Sequence, residues 1–100
     1  MGAREFFESL EANSDPEAIE GIDHSYLLVV EDEGQWLVEL RDGTVRVTEG
    51  EADADVTITV GAETFDRLVE RRQRPVAAYL GGKLKVSGDT AAALALRRIF

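Results

Sequence analysis

Between Tyr26 and Val60 apolar side chains recur at every second position, and this period limits what the chain can build. Tyr26, Leu28 and Val30 form one such set, Trp36, Val38 and Leu40 a second, Val45 and Val47 a third, and Val56, Ile58 and Val60 a fourth. An extended chain points successive side chains to opposite faces, so each set makes one apolar face, with Leu37 as an exception on the other side. Asp32-Glu33-Gly34 turns the chain after the first set. Asp42-Gly43 between the second and third is a strong type I′ hairpin signal. A sheet that is apolar on one face needs a cover.

The cover is legible on either side of the strands. Arg4 to Ala12 reads as a short helix with Phe6, Phe7 and Leu10 on one side, and Pro16 opens a second helical turn capped by Asp15 and ended by Gly21. After a polar connection, Glu49 to Asp55, and the fourth strand, residues Ala62 to Arg72 read as an amphipathic helix carrying Phe65, Leu68 and Val69. Pro75 starts a further helix with Val76, Ala77, Tyr79 and Leu80 as its apolar side, closed by Gly81-Gly82. Leu84 and Val86 then make the inner face of a fifth strand. Asp89 or Thr90 caps a last helix that includes Leu94, Leu96, Ile99 and Phe100. Strands first and helices segregated after them predict an α+β fold: a five-stranded, mostly antiparallel sheet with helices packed on one face. At 100 residues this is one domain, 1–100.

Chemistry is sparse. Gly81-Gly82-Lys83 suggests a phosphate loop, but Leu84 follows the lysine where Ser or Thr is needed, and the glycines lead into a strand rather than a helix. Asp89 at the helix start after Gly88 would repel a phosphate. His24 is the sole histidine and there is no cysteine, so a zinc site with nitrogen and sulfur ligands cannot be assembled, and no disulfide framework exists. Ser25 adjoins His24, yet neighbours in a strand face opposite ways, which argues against a catalytic pair. The acids of the turns lack calcium-loop spacing. The reading is therefore of a non-enzyme with no catalytic residue, no metal and no cofactor.

Charge is divided along the chain. Residues 1–66 carry a net minus 15 and residues 67–100 a net plus 6, within a total of −9. The overall sign argues against nucleic acid, whose binding relies on Lys and Arg neutralising phosphates. Arg67, Arg71, Arg72 and Arg74 form a basic cluster that suits either a solvated helix face or an anionic head group with transient membrane contact. The apolar runs Tyr26–Val30 and Ala91–Leu96 are far short of a membrane span. No signal-peptide pattern opens the chain, and the expected location is cytoplasmic.

The order of these motifs resembles the sterol carrier protein type 2 family, the sterol-binding domain. The resemblance lies in Gln35-Trp36-Leu37-Val38-Glu39-Leu40 running into Asp42-Gly43, in Ala54 to Val60, in the helix with Phe65 and Leu68, and above all in Gly81-Gly82-Lys83-Leu84-Lys85-Val86-Ser87-Gly88-Asp89. It implies a hydrophobic tunnel between sheet and helices that holds a sterol, fatty acid, fatty acyl-CoA or other lipid for carriage. By matching position the lining would come from Trp36, Val38, Val56, Ile58, Phe65, Leu68, Tyr79, Leu80, Leu84, Val86, Leu94 and Leu96. Arg98-Ile99-Phe100 is not the peroxisomal Ser-Lys-Leu address. The chain also stops where some relatives continue, which would leave the tunnel mouth open or covered by another subunit. Acidic, poor in lysine and freestanding, the domain reads as prokaryotic.

A tunnel strains the stability of so small a chain. An empty pocket of about 300 Å³ would cost around 7 kcal/mol at ~24 cal/mol per Å³, against a total stability of only ~5–15 kcal/mol. The alternative is the same fold with a filled core, acting as a dimerisation module or as the partner of an enzyme; the chain is expected as a monomer or homodimer. The acid excess also suits a high-salt host, since a large net charge maintains solubility there. If so, molar KCl raises the melting temperature; an unchanged or lowered midpoint in a thermal scan refutes the adaptation.

Overall fold

The computed structural model describes residues 3–13 and 16–95. Two helices, α1 (Ala3–Asn13) and α2 (Pro16–Ile19), precede the strands β1 (His24–Val30), β2 (Gly34–Arg41), β3 (Thr44–Glu49) and β4 (Val56–Val60). The helices α3 (Ala62–Val69) and α4 (Pro75–Leu80), the strand β5 (Leu84–Gly88) and the helix α5 (Thr90–Ala95) follow. The strands form one sheet in the order β3-β2-β1-β4-β5. Three pairings are antiparallel, and β1 with β4 is parallel.

The hairpin signal is realised: Asp42 and Gly43 both have positive φ, 52° and 75°, the conformation a type I′ turn demands. That turn sets Leu40 opposite Val45 and Val38 opposite Val47. Register then continues across the sheet, so Val47, Val38, Tyr26 and Val56 share one row, and Trp36, Leu28, Ile58 and Val86 share the next. All of these rows join a single core cluster with residues of α1, α3, α4 and α5. The helices therefore cover one face.

The first helix is fixed by aromatic packing and by its ends. Phe7 stacks on Trp36 with centroids 4.9 Å apart, and Phe7 and Phe65 lie at 5.6 Å. Arg4 forks onto Glu49 at 2.7 and 2.8 Å, while the Glu11 carboxylate accepts the Val47 N–H. That bond occupies a donor of β3, an edge strand whose unpaired groups invite aggregation.

Helix ends depart from the sequence reading in two places. The third helix stops at Val69 rather than Arg72, because Arg71 adopts a left-handed φ of 61° and Arg72 N–H turns back to the Arg67 carbonyl at 2.8 Å. In α4 the core takes Ala78, whereas Ala77, Tyr79 and Leu80 are exposed. A six-residue helix offers one narrow stripe to the sheet, and the small alanine lets α4 approach β5. The Lys83 N–H closes this helix onto the Ala78 carbonyl at 2.8 Å, as the glycine pair predicted. The expected Asp15 cap lies outside the described residues.

Asp89 rather than Thr90 caps α5: its Oδ1 accepts the N–H groups of Ala91 and Ala92 at 3.0 and 3.2 Å. Just before it, Gly88 has φ of 109°, and a Cβ built there would lie 2.3 Å from the Asp55 carbonyl oxygen. Backbone strain and a backbone clash therefore act together. Gly88→Ala is expected to lose about 2–4 kcal/mol, read as a lowered urea midpoint with unchanged slope. A loss below about 1 kcal/mol would show that β5 relaxes away from β4 freely.

Candidate functional site

The inner face of the sheet is covered unevenly. Over β2 the large rings of Phe7, Trp36 and Phe65 fill the space. Toward β5 the cover consists of α4 and of α5, whose segment Ala91-Ala92-Ala93 is short in volume. There an apolar cleft of about 80 Å³ opens. Its floor is Leu28, Ile58 and Val60 with Leu84 and Val86, and its walls are Phe65 and Leu68 of α3, Pro75, Val76 and Tyr79 of α4, and Thr90, Ala93 and Leu94 of α5.

Seven of the twelve expected lining residues meet here: Ile58, Phe65, Leu68, Tyr79, Leu84, Val86 and Leu94. Trp36, Val38 and Val56 instead sit fully buried in the packed core, Trp36 beneath Phe7 and the two valines flanking Tyr26. Leu80 is 78% exposed and points away from the cleft into solvent. Leu96 lies outside the described residues. Leu28, Val60, Pro75, Val76, Thr90 and Ala93 were missed by the sequence reading. The strand alternation marked Leu28 and Val60 as inward-facing, but only the helix positions place open space above them.

The cleft is small for a lipid. At ~24 cal/mol per Å³ it leaves about 2 kcal/mol of packing unrealised, a burden a small domain tolerates. Drug-sized ligands occupy ~300 Å³ or more, so uptake requires the walls to part. The mouth shows which walls can do so. Val76, Tyr79, Leu80 and Leu94, at 41%, 46%, 78% and 50% exposure, are the exposed large apolar residues among those described, and all lie on α4 and α5.

One polar group is built into the floor beside this cleft. The Tyr26 hydroxyl donates to the Ala92 carbonyl at 2.6 Å, tying β1 to α5. Burial, aided by Asp55 and Asp89, pushes the phenol up to about 12. Asp55 itself joins three strands. Its carboxylate accepts the Ser25 N–H at 3.0 Å, its own N–H donates to Ser25 Oγ at 3.0 Å, and its carbonyl accepts the Asp89 N–H at 3.2 Å. The Ser25 N–H, with His24 Nδ1 3.7 Å away, holds this carboxyl below the usual carboxylate range. Ser25 and His24 thus meet different atoms of Asp55, the hydroxyl its N–H and the imidazole its carboxylate, because Asp55 precedes β4 and reaches across the start of β1. The serine oxygen is engaged in accepting the Asp55 N–H, so the trio serves as a clasp for the parallel register. Among the described residues no His, Cys, Asp or Glu group could hold a metal ion.

Comparison with known proteins converges on one family. The model of the SCP-2 sterol transfer family matches residues 5–100. Hydroxysteroid dehydrogenase-like protein 2 of Xenopus tropicalis is 32% identical over 101 residues, covering 96% of this chain and 24% of that protein. The chain thus spans about a quarter of the length of that curated relative. Among solved structures, palmitated SCP2L2 from Aedes aegypti superposes with a TM-score of 0.81 at 26% identity, over 99% of this chain and 94% of that one. The inverting sec-alkylsulfatase Pisa1 from Pseudomonas sp. also reaches 0.81 at 26% identity, over 95% of this chain and 16% of its own.

The tie at Tyr26 carries a pH signature. A phenol raised in the folded state stabilises fully below its unfolded pKa of ~10 and loses that contribution as pH rises toward 12, roughly 2–3 kcal/mol in all. Between pH 9.5 and 12 the unmodified protein is expected to lose that much more stability than Tyr26→Phe, measured by urea unfolding of both. Parallel pH profiles would show that the hydroxyl is not held as described.

Proposed function

The chain belongs to the SCP-2 sterol transfer family, and we propose that it is a non-catalytic lipid-binding or lipid-transfer module. The observation that carries this reading is the apolar cleft beneath α4 and α5, whose thirteen lining residues bring only two polar side-chain groups, the hydroxyls of Thr90 and Tyr79. Such a surface recognises an alkyl chain or a ring system by area alone, at about 25 cal/mol per Å² removed from water. Among the described residues no acid, base or charged group lines it to activate either hydroxyl. A fatty acid is the ligand to try first, since the similar Aedes aegypti protein is palmitated.

Binding would displace α4 and α5 outward. They are only six residues each, and below ~12–15 residues helices depend on tertiary contacts for stability. The aromatic block of α1, β2 and α3 would stay fixed. Ligand then replaces the missing packing, and stability rises with occupancy.

A second reading draws on the relatives' architecture: the matching segments are parts of a dehydrogenase-like protein and of an alkylsulfatase. On that reading the domain is an accessory module to an enzyme that acts on hydrophobic molecules.

Protein stripped of lipid is expected to melt about 10 °C or more lower than protein with palmitate at a hundredfold excess over its Kd. Leu94→Trp fills the mouth at a half-exposed position, so it should leave the ligand-free midpoint nearly unchanged and abolish the palmitate shift. Native mass spectrometry separates the readings: a co-purified lipid mass supports the carrier. A lipid-free protein without any palmitate shift overturns the carrier and leaves the accessory module.

A further inference from the structure

The cleft mouth coincides with a second feature that lipid storage by itself does not require. From Arg71 to Gly88 the sequence holds three arginines and two lysines and no acid, in a chain of net charge −9. Arg72 pairs with Glu70 at 2.5 Å, and Arg67 of α3 with Glu63. Arg71, Arg74, Lys83 and Lys85 are exposed and make no ion pair among the described residues. Arg71 follows α3 and Arg74 caps α4, while Lys83 stands just beyond its end. Arg71, Arg74 and Lys83 therefore frame α4, whose positions Val76, Tyr79 and Leu80 lie on one helical face, whereas Lys85, between the inward-facing Leu84 and Val86 of β5, faces the other side of the sheet.

We propose that this face of α4 is a docking surface for an anionic lipid bilayer, with Leu80, Tyr79 and Val76 entering the head-group boundary and Arg71, Arg74 and Lys83 meeting lipid phosphates. The inference rests on the cleft being a lipid site, and it names the surface from which that site is filled. Leu80 has no packing role in the fold, and it is the most exposed of the large apolar side chains described. An apolar face ringed by cations is the arrangement that lies in an interface plane. Charge separates this occupant from a second copy. A two-fold contact through α4 would set the same basic ring against itself.

The nearest acids are already engaged or face elsewhere. Glu63 and Glu70 are paired with arginines, and Asp89 is bonded to the first turn of α5. Asp66 remains on α3 with a buried, unbonded Oδ1.

The test is flotation of the full chain with vesicles of phosphatidylglycerol and phosphatidylcholine in equal parts, or of phosphatidylcholine alone. The chain is expected to float with the anionic vesicles and be released by salt. Leu80→Ser should lower partition about tenfold, and the combined Arg71→Gln, Arg74→Gln, Lys83→Gln variant about a hundredfold, near fivefold per cation. Both variants should keep the palmitate thermal shift, which shows that the fold and the cleft are intact. Failure of the parent chain to float, or equal flotation of all three proteins, overturns the docking surface. So does a concentration-dependent dimer that the same substitutions dissociate. Loss of the palmitate shift in the parent with flotation retained overturns the cleft reading alone.

Discussion

The parallel pairing of β1 with β4 is the contact on which the other features depend. It puts Leu28 beside Ile58 and Val30 beside Val60, joining the meander of β1, β2 and β3 to the half that contains α3, α4, β5 and α5. Parallel strands cannot be linked by a tight turn, so local chain geometry does not enforce this register. Side-chain bonds at one end supply what a hairpin would have supplied: Asp55 exchanges two hydrogen bonds with Ser25 and receives a third from Asp89. The glycine at 88 permits the last of these by leaving room for the Asp55 carbonyl. If that clasp slipped by one residue, Ile58 and Val60 would turn to the outer face and the cleft floor would be lost.

Above that sheet, residue volume decides where the protein is solid and where it yields. Phenylalanines on α1 and α3 interlock with Trp36 and leave a packed block. Alanines on α5 and a six-residue α4 leave about 80 Å³ between themselves and β5. The same distribution separates stability from function in space, because the rings that bury the most area stand away from the cleft. Tyr26 lies between the two regions and fastens the lighter cover to the sheet through one hydroxyl. Charge is divided along the chain as well, with a net minus 15 over residues 1–66 and Arg71, Arg74 and Lys83 placed around α4.

Much of this was legible beforehand, and the misses share a cause. The strands, the Asp42-Gly43 turn, the glycine stop of α4 and the order of elements all follow from patterns a few residues long. So does the inward direction of Ile58, Leu84 and Val86. Trp36, Val38 and Val56 were expected at the lining by matching position in the family resemblance, and they too face inward. Trp36 is core because Phe7 stacks on it, and Val38 and Val56 are buried on either side of Tyr26; alternation says nothing of what lies over a strand. Leu80 illustrates the converse. In a short helix an apolar residue looks like a core residue until a neighbour, here Ala78, takes the only inward position.

Sequence by itself therefore determined the periods, the turns, the apolar face and the uneven charge, since each arises from covalent neighbours and backbone geometry. Tertiary structure decided the parallel partner of β1, the meeting of Asp55 with Ser25 and His24, and which stretch of the apolar face stays uncovered. Those depend on contacts between residues thirty to sixty positions apart. Their strength comes from volume and register across elements, quantities that no local pattern contains.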